Sequence, residues 1–464
     1  MTSSPQALAQ LQHAAGTTGD CHFTASTPTL ASRFCAVEAA SAALGAGALV
    51  AAEIIAQRGC PRPAVQIDTR QAEASLLSFA LQRFEDASKS PAARLPPEER
   101  TAAAGFYQTA DERTVYLHSG FQHNTQGLLQ LLGTPDDRDA VAAAIKARTA
   151  QALEDAIAER GLCGAMLRSA PEWDQSAAGK HLAAQRIVEV HKLTDSPPRP
   201  WSGARHALAG CNVLDATRVL AGPTCARTLA LYGANVLRIG AEDLPSIPLF
   251  VADTGIGKRN AFVDLKTPDG RSAMDRLLAE ADVFSQGYRS GALERLGYGE
   301  QALAQRFPGL IYVSINCYGH AGDWRSRPGW EQLAQVVTGM AHQHGIDVHG
   351  QPGKPELQPA AVTDYTTGYL AAYGALVALA RRAVEGGSYA VRVSLARTGM
   401  WVSGLGHRDA MPNTGLNVAA LTFDRVDTQW GGLAHLAAPV LFDGKRLAWT
   451  RPPAPLGAHP PSFR

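Results

Sequence analysis

Residues 212–239 read NVLDATRVLAGPTCARTLALYGANVLRI. The opening run, Asn212–Asp215, is a short apolar strand signal. Gly222-Pro223 then opens a helix, with Pro at the first helical position, where a missing N–H costs nothing. Leu229 and Leu231 fall within that helix, and Gly233 supplies a left-handed stop. Asn235–Ile239 is apolar again and reads as the next strand. Strand, helix and strand in so short a span make a parallel crossover unit. The alternation continues downstream. Phe262–Leu265 is a strand signal, and Thr267-Pro268 caps a helix carrying Ala273, Leu277 and Ala281 on one face. Asp282–Phe284 and Leu310–Ile315 are further strands. The pattern predicts an α/β protein built on a doubly wound parallel sheet.

The chain has 464 residues, room for two or three domains. A proline-rich break at Thr194–His206, TDSPPRPWSGARH, reads as a linker (194–206) between a first half, 1–193, and a second, 207–464. The first half divides again. A helix–strand unit covers about 33–80, and a small α/β module covers about 105–190, with a strand at Thr114–His118 and helices at Thr149–Arg160 and Ser176–Ile187. There is also an internal repeat. Asp364–Leu379 is an apolar helix, followed by a turn at Gly386-Gly387 and the strand Tyr389–Leu395. Glu38–Ile55, Gly59–Pro63 and Ala64–Ile67 repeat that order, and both helices contain GALV, at 47–50 and 374–377.

Charge and composition exclude several classes. Lys and Arg total 43 against 42 Asp and Glu, which argues against a nucleic-acid binder. With 45% hydrophobic and 18% charged residues the chain is not globally disordered. The seven cysteines form no C-x-x-C pair and predict a reducing, cytoplasmic setting. Met1–Asp20 lacks a basic region followed by an apolar core, so no signal peptide is expected. The most apolar stretch, Ala39–Ala52, is too short to span a bilayer, and no membrane partner is predicted.

Motif tests are mostly negative. Gly255–Lys258 lacks the rest of a phosphate loop, because Ala252 and Arg259 occupy its Gly and Ser/Thr places. No G-x-G-x-x-G follows a strand and no G-x-S-x-G appears. His342, His344 and His349, near Asp347, fit no zinc spacing. Cys317 ends a strand and reads as a buried small hydrophobe. Asp364 stands just before an apolar helix, where an N-cap role alone would explain it.

Three blocks, in order, carry a resemblance. They are VLDATRVLAGPTCARTLALYGANVLRI (213–239); GKRNAFVDLKTPDGRSAMDRLLAEADV (257–283) with GYRSGALERLGYG (287–299); and RPGWEQLAQVVTGMA (327–341) with VTDYTTGYLAAYGALVAL (362–379). Together they resemble the family III CoA-transferases, which include formyl-CoA transferase, carnitine CoA-transferase and alpha-methylacyl-CoA racemase. PPAPLGAHP (452–460) is similar to the family's closing segment. The resemblance implies a Rossmann-like CoA-binding catalytic domain over 207–464 plus a smaller α/β domain. The order here suggests a permuted, partly duplicated arrangement.

By the same resemblance Asp364 is the catalytic carboxylate, attacking an acyl-CoA thioester. Val37 stands at the matching place in the first copy, which would then be structural. Val219, Ala221, Arg238, Lys258, Arg259, Tyr288 and Arg295 are the implied CoA-binding residues. Glu331 is a second catalytic candidate, or a group that bonds backbone. The substrates would be an acyl-CoA and a carboxylic acid acceptor, with no tightly bound cofactor and no metal, in a homodimer. Leu220 replaces a glutamine of formyl-CoA transferase, and Ala241 an arginine some members use for CoA. Trp330 stands where the racemase has a histidine, and an indole cannot take up a proton. A 2-methylacyl-CoA racemase-type isomerase using Asp364 and Glu331, and a non-catalytic CoA-binding subunit, are the alternatives.

Overall fold

The computed structural model describes residues 2–91, 101–412 and 414–464. Its centre is a seven-stranded sheet: β1 (Glu189–Thr194), β2 (Asn212–Ala216), β3 (Asn235–Gly240), β4 (Lys258–Phe262), β5 (Val283–Gln286), β6 (Ile311–Asn316) and β7 (Ser388–Ser394). The spatial order is β4-β3-β2-β5-β6-β7-β1. Neighbours from β4 to β7 are parallel, and only β1 runs antiparallel, along β7. The chain winds outward from β2 one way to β4 and then the other way from β5 to β7. That reversal leaves a crevice at the carboxyl ends of β2 and β5.

Apart from β1 and β4, the strands are largely apolar because both faces are covered. Successive side chains point to opposite faces. Val213, Val236, Val283 and Ile311 therefore join one core, and their neighbours Leu214, Leu237, Phe284 and Tyr312 join another. The second core is closed by the helix Pro268–Glu280, through Met274, Leu277 and Leu278. Thr267 caps that helix as expected, accepting from Gly270 N.

The first core holds four helices that matter for the site: α1 (Ala36–Gln57), α2 (Ala221–Leu231), α3 (Glu331–Val337) and α4 (Val362–Glu385). α4 lies between α1 and α2. Gly368 permits the approach to α2: a Cβ there would sit 2.6 Å from the Ala221 carbonyl oxygen. α1 is longer than Ala39–Ala52. At 22 residues it is long and apolar enough to cross a membrane by composition, but 89% of its most apolar window is buried inside the protein.

The two halves are tied together. β1 comes from the first half and closes one edge of the sheet. The stretch read as a linker is held in place. Arg58, just past α1, donates to the carbonyls of Ser202, Ala207 and Ala209 and stacks 4.5 Å from the Trp201 ring. Upstream, strands Gly105–Gln108, Thr114–Leu117 and Gly164–Met166 form an antiparallel sheet with its own core of Val115, Leu117, Leu128, Leu153 and Ile157.

Two element readings change. The strand expected at Phe262–Leu265 lies at Lys258–Phe262. Its polar letters hid it: Lys258 and Asn260 are buried through specific partners rather than exposed. The helix expected over Ser176–Ile187 is only Ala177–Ala183, preceded by a separate turn, Ala170–Gln175, with Ser169 and Glu172 forming a capping box.

Candidate active site

A cavity of about 430 Å³ occupies the crevice where the strand order reverses. Its wall includes the β2–α2 connection Thr217–Leu220 with the helix start Ala221-Gly222, then Tyr288 and Arg289 after β5, Asn316 at the end of β6 and Cys317 just after it. Trp330, Glu331 and Asp364 line it too, with Phe121, His123, Asn124 and Cys163 from the first half.

Asp364 is not the cap of its helix. α4 begins at Val362, and its N-cap is Ala361, which has no capping side chain. The carboxylate of Glu331 does the capping from α3. Its Oε1 accepts from Thr363 N at 3.0 Å and from Gln335 Nε2 at 2.7 Å. Its Oε2 accepts from Asp364 N at 2.5 Å and from the Thr363 hydroxyl. Four donors occupy Glu331, which corrects its reading as a second acid or base. No hydrogen bond reaches the Asp364 carboxylate among the described residues. Burial raises the Asp364 carboxyl well above the usual range, and the Glu331 charge adds to the rise. Burial also raises Glu331, but its donors pull it back toward the ionised form. The pair therefore holds its proton on Asp364.

The β2–α2 connection is strained and braced. Val219 lies at φ 69°, a conformation that a β-branched residue reaches only under constraint. The brace is buried. Lys258 Nζ donates to Asp215 Oδ2 at 2.8 Å and to the Pro223 carbonyl at 2.7 Å. Asp215 Oδ1 accepts from Thr217 N at 3.1 Å and Thr217 Oγ1 at 2.5 Å. Lys258 is fully buried in this network, which corrects its expected place beside nucleotide phosphates. Arg259 is also elsewhere: it donates to the Arg464 carbonyl and to Oδ1 of Asn235, which starts β3, and it is not part of the cavity wall. Helix α2 starts at Ala221, so Pro223 stands in its first turn rather than at its first position.

Of the expected CoA contacts, the structure gathers Val219, Ala221, Tyr288 and Arg295 in the cavity with Asp364. Arg238 lies in a small cleft next door, which shares Arg218 and Val219 with the main cavity. Burial raises the Tyr288 hydroxyl, and nearby Arg218 and Arg238 reduce that rise. Leu220 lines the wall, whereas Ala241 does not. Five arginines, Arg218, Arg289, Arg295, Arg325 and Arg327, border the cavity, against two acidic residues. Arg327 is ion-paired with Glu154 and Asp155, and the other four arginines leave the opening cationic, suited to a polyanionic ligand.

The residues from the first half gave little sequence signal. His118 stacks on Trp330 with ring centroids 4.6 Å apart, and its Nε2 meets Gln332 Oε1 at 3.0 Å. Burial lowers its pKa to about 4, so the ring is neutral. Phe121 meets Trp330 edge-on and carries Arg218 4.7 Å above its own ring. Gly120, at φ 54°, leaves room for the Trp330 indole: a Cβ there would fall 2.7 Å from it. An S-G-F turn before a polar helix start was the available clue. Cys317 is buried, as read, and burial pushes its thiol upward, away from the thiolate form. No metal-binding group of three His, Cys, Asp or Glu residues occurs among the described residues.

Residues 208–415, which supply β2–β7, α2–α4 and most of the cavity wall, match a known sequence family, described as CoA-transferase family III. Residues 208–415 belong to CoA-transferase family III. The chain is similar to the acetyl-coenzyme A transferase nodX of Hypoxylon pulicicidum, 31% identical over 329 residues, covering 66% of this chain and 55% of that one. Another relative is the succinyl-CoA–L-malate CoA-transferase beta subunit of Chloroflexus aurantiacus, 34% identical, covering 39% and 46%. Among solved structures, Rv3272 of Mycobacterium tuberculosis is similar at 32% identity, covering 45% of this chain and 58% of that one, with a TM-score of 0.38. The chain spans about half the length of the curated relatives it matches.

Proposed function

We propose that the protein transfers CoA between carboxylic acids, with Asp364 as the nucleophile. The observation that carries this reading is the Asp364 carboxylate itself. It borders a cationic cavity and is relieved of capping duty by Glu331. The acyl-CoA phosphates would meet the arginines at the mouth, with the pantetheine arm passing Val219 and Ala221. Asp364, once ionised, attacks the thioester carbon. The C–S bond breaks, the thiolate keeps its electron pair, and an aspartyl–acyl anhydride remains. The thiolate then attacks the aspartyl carbonyl, releasing the donor acid and leaving an aspartyl–CoA thioester. The acceptor carboxylate repeats the two steps in reverse and departs as the new acyl-CoA. A carboxyl held neutral by burial is the more basic, and so the better nucleophile, when its proton leaves.

Several of the relatives are named as CoA-transferases, which supports this class. We further propose a reducing, cytoplasmic location, consistent with seven free thiols, and the homodimer suggested by the resemblance. Intact-protein mass spectrometry after mixing with a panel of acyl-CoAs tests the reaction. A mass gain mapped to the peptide around Asp364, absent in Asp364→Asn, is the expected result. A full panel without adduct or turnover would overturn it.

A further inference from the structure

One part of the cavity wall is a helix start, and it carries a buried amide oxygen that meets no donor among the described residues. Helix Gln122–Leu132 has Phe121 as its N-cap, with no side-chain cap. Phe121, His123 and Asn124 all face the cavity. Asn124 is 2% exposed, and its Oδ1 meets no donor among the described residues. A buried carbonyl oxygen without a donor is destabilising, and native proteins rarely keep one without a use. The position is also telling. The Asn124 carboxamide stands against the Cys163 thiol. Cys163 neighbours Cys317, which in turn feels the charges of Asp364 and Glu331. Phe121, at the same helix start, packs edge-on against Trp330, whose chain neighbour Glu331 accepts the Asp364 N–H, so Asn124 and Asp364 share this part of the cavity wall.

We propose that Asn124 selects the acid substrate by hydrogen-bonding a hydroxyl group on its carbon chain. A hydroxyl is the complement of a carboxamide. It donates to the amide oxygen and accepts from the amide nitrogen, so the fit survives a half-turn of the side chain. An acyl group lacking the hydroxyl leaves the buried oxygen unsatisfied and is rejected for that reason. Phe121 and Trp330, packed edge to face beside it, offer the apolar surface for the remaining carbons.

This inference rests on the CoA-transfer reading for its meaning, but binding can be measured apart from chemistry. The Asp364→Asn protein cannot form the anhydride, so calorimetry on it reads affinity alone. Butyryl-CoA is compared with 2-hydroxybutyryl-CoA and 3-hydroxybutyryl-CoA, and succinyl-CoA is the acidic control. At least one hydroxyacyl-CoA should bind tenfold or more tightly than butyryl-CoA. Adding Asn124→Leu, or Asn124→Ala where Leu disturbs folding, should erase that ratio while leaving butyryl-CoA affinity within about twofold. Equal affinities, a ratio that survives both substitutions, or a preference for succinyl-CoA would each overturn the assignment. Failure of adduct formation at Asp364 in the otherwise unaltered protein would instead strike the transfer reading, whatever the affinity ratio.

Discussion

The Oε2 atom of Glu331 accepts the backbone N–H of Asp364 at 2.5 Å. One carboxylate thereby takes the place at the helix end that the other would otherwise fill. Glu331→Ala would leave two backbone N–H groups, a hydroxyl and the Gln335 amide without an acceptor in a buried setting. We expect a loss of roughly 2–4 kcal/mol, read as a fall in denaturation midpoint. Glu331→Gln should recover only part of it, because an amide offers one acceptor oxygen. Stability unchanged in both variants would show that the cap is unimportant.

The raised Asp364 carboxyl sets a pH dependence. Its folded pKa exceeds the unfolded one, so between the two the native state binds the extra proton. Stability from this group is present below the unfolded pKa and declines as pH rises toward the folded value. Asp364→Asn should therefore melt higher than the parent at neutral pH, with the gap closing near pH ~4. Transfer activity should run the other way, rising with pH as the carboxyl ionises. A flat difference in melting temperature from pH 4 to 8 would contradict the assignment of the proton.

His118 works at the acid end. Its folded pKa of about 4 lies below that of a free imidazole, so the unfolded chain takes up the proton first as pH falls. Its contribution is whole above pH ~6.5 and is lost as pH drops toward 4. His118→Phe keeps the stack on Trp330 while removing the titration. It should flatten the acid branch of the stability curve, which denaturant titrations at several pH values would reveal.

Lys258 separates structure from binding. Lys258→Met strands the buried Asp215 carboxylate, and a loss of about 3–5 kcal/mol is expected. The double change Lys258→Met with Asp215→Leu should regain much of that stability. Arg295→Ala, at the exposed rim, should instead leave the melting temperature unaltered and weaken acyl-CoA binding in a salt-dependent way. A Lys258 variant that folds normally but loses CoA affinity would return the residue to the phosphates.

Val219 tests the strained turn. Val219→Gly removes a backbone penalty of roughly 1–3 kcal/mol and gives some of it back as unfolded-state entropy. A small rise in melting temperature is expected. A clear fall would mean that the valine methyl contacts outweigh the backbone cost.

The strand order was legible where strands are apolar, as in Asn212–Asp215 and Leu310–Ile315, since burial on two faces leaves a plain signature. It was obscured at β4, where Lys258 and Asn260 are buried by partners far away in sequence, and letters alone cannot show a partner. Asp364 was recognisable from its block, but its neighbourhood was not. The cap supplied by Glu331 links positions that no local pattern connects. Phe121 and Asn124 were invisible for a related reason, because their role depends on folding the first half against the second.

The apolar face of α1 is satisfied mainly by α4, which follows in the chain roughly 300 residues later. At ribosomal speeds of about 5–20 residues per second, the earlier helix waits on the order of 15–60 s for its mate. During that interval a segment greasy enough for a bilayer stands in water without its cover. Nascent chains should be strong clients of holdase chaperones, and fragments ending before Val362 should aggregate when expressed.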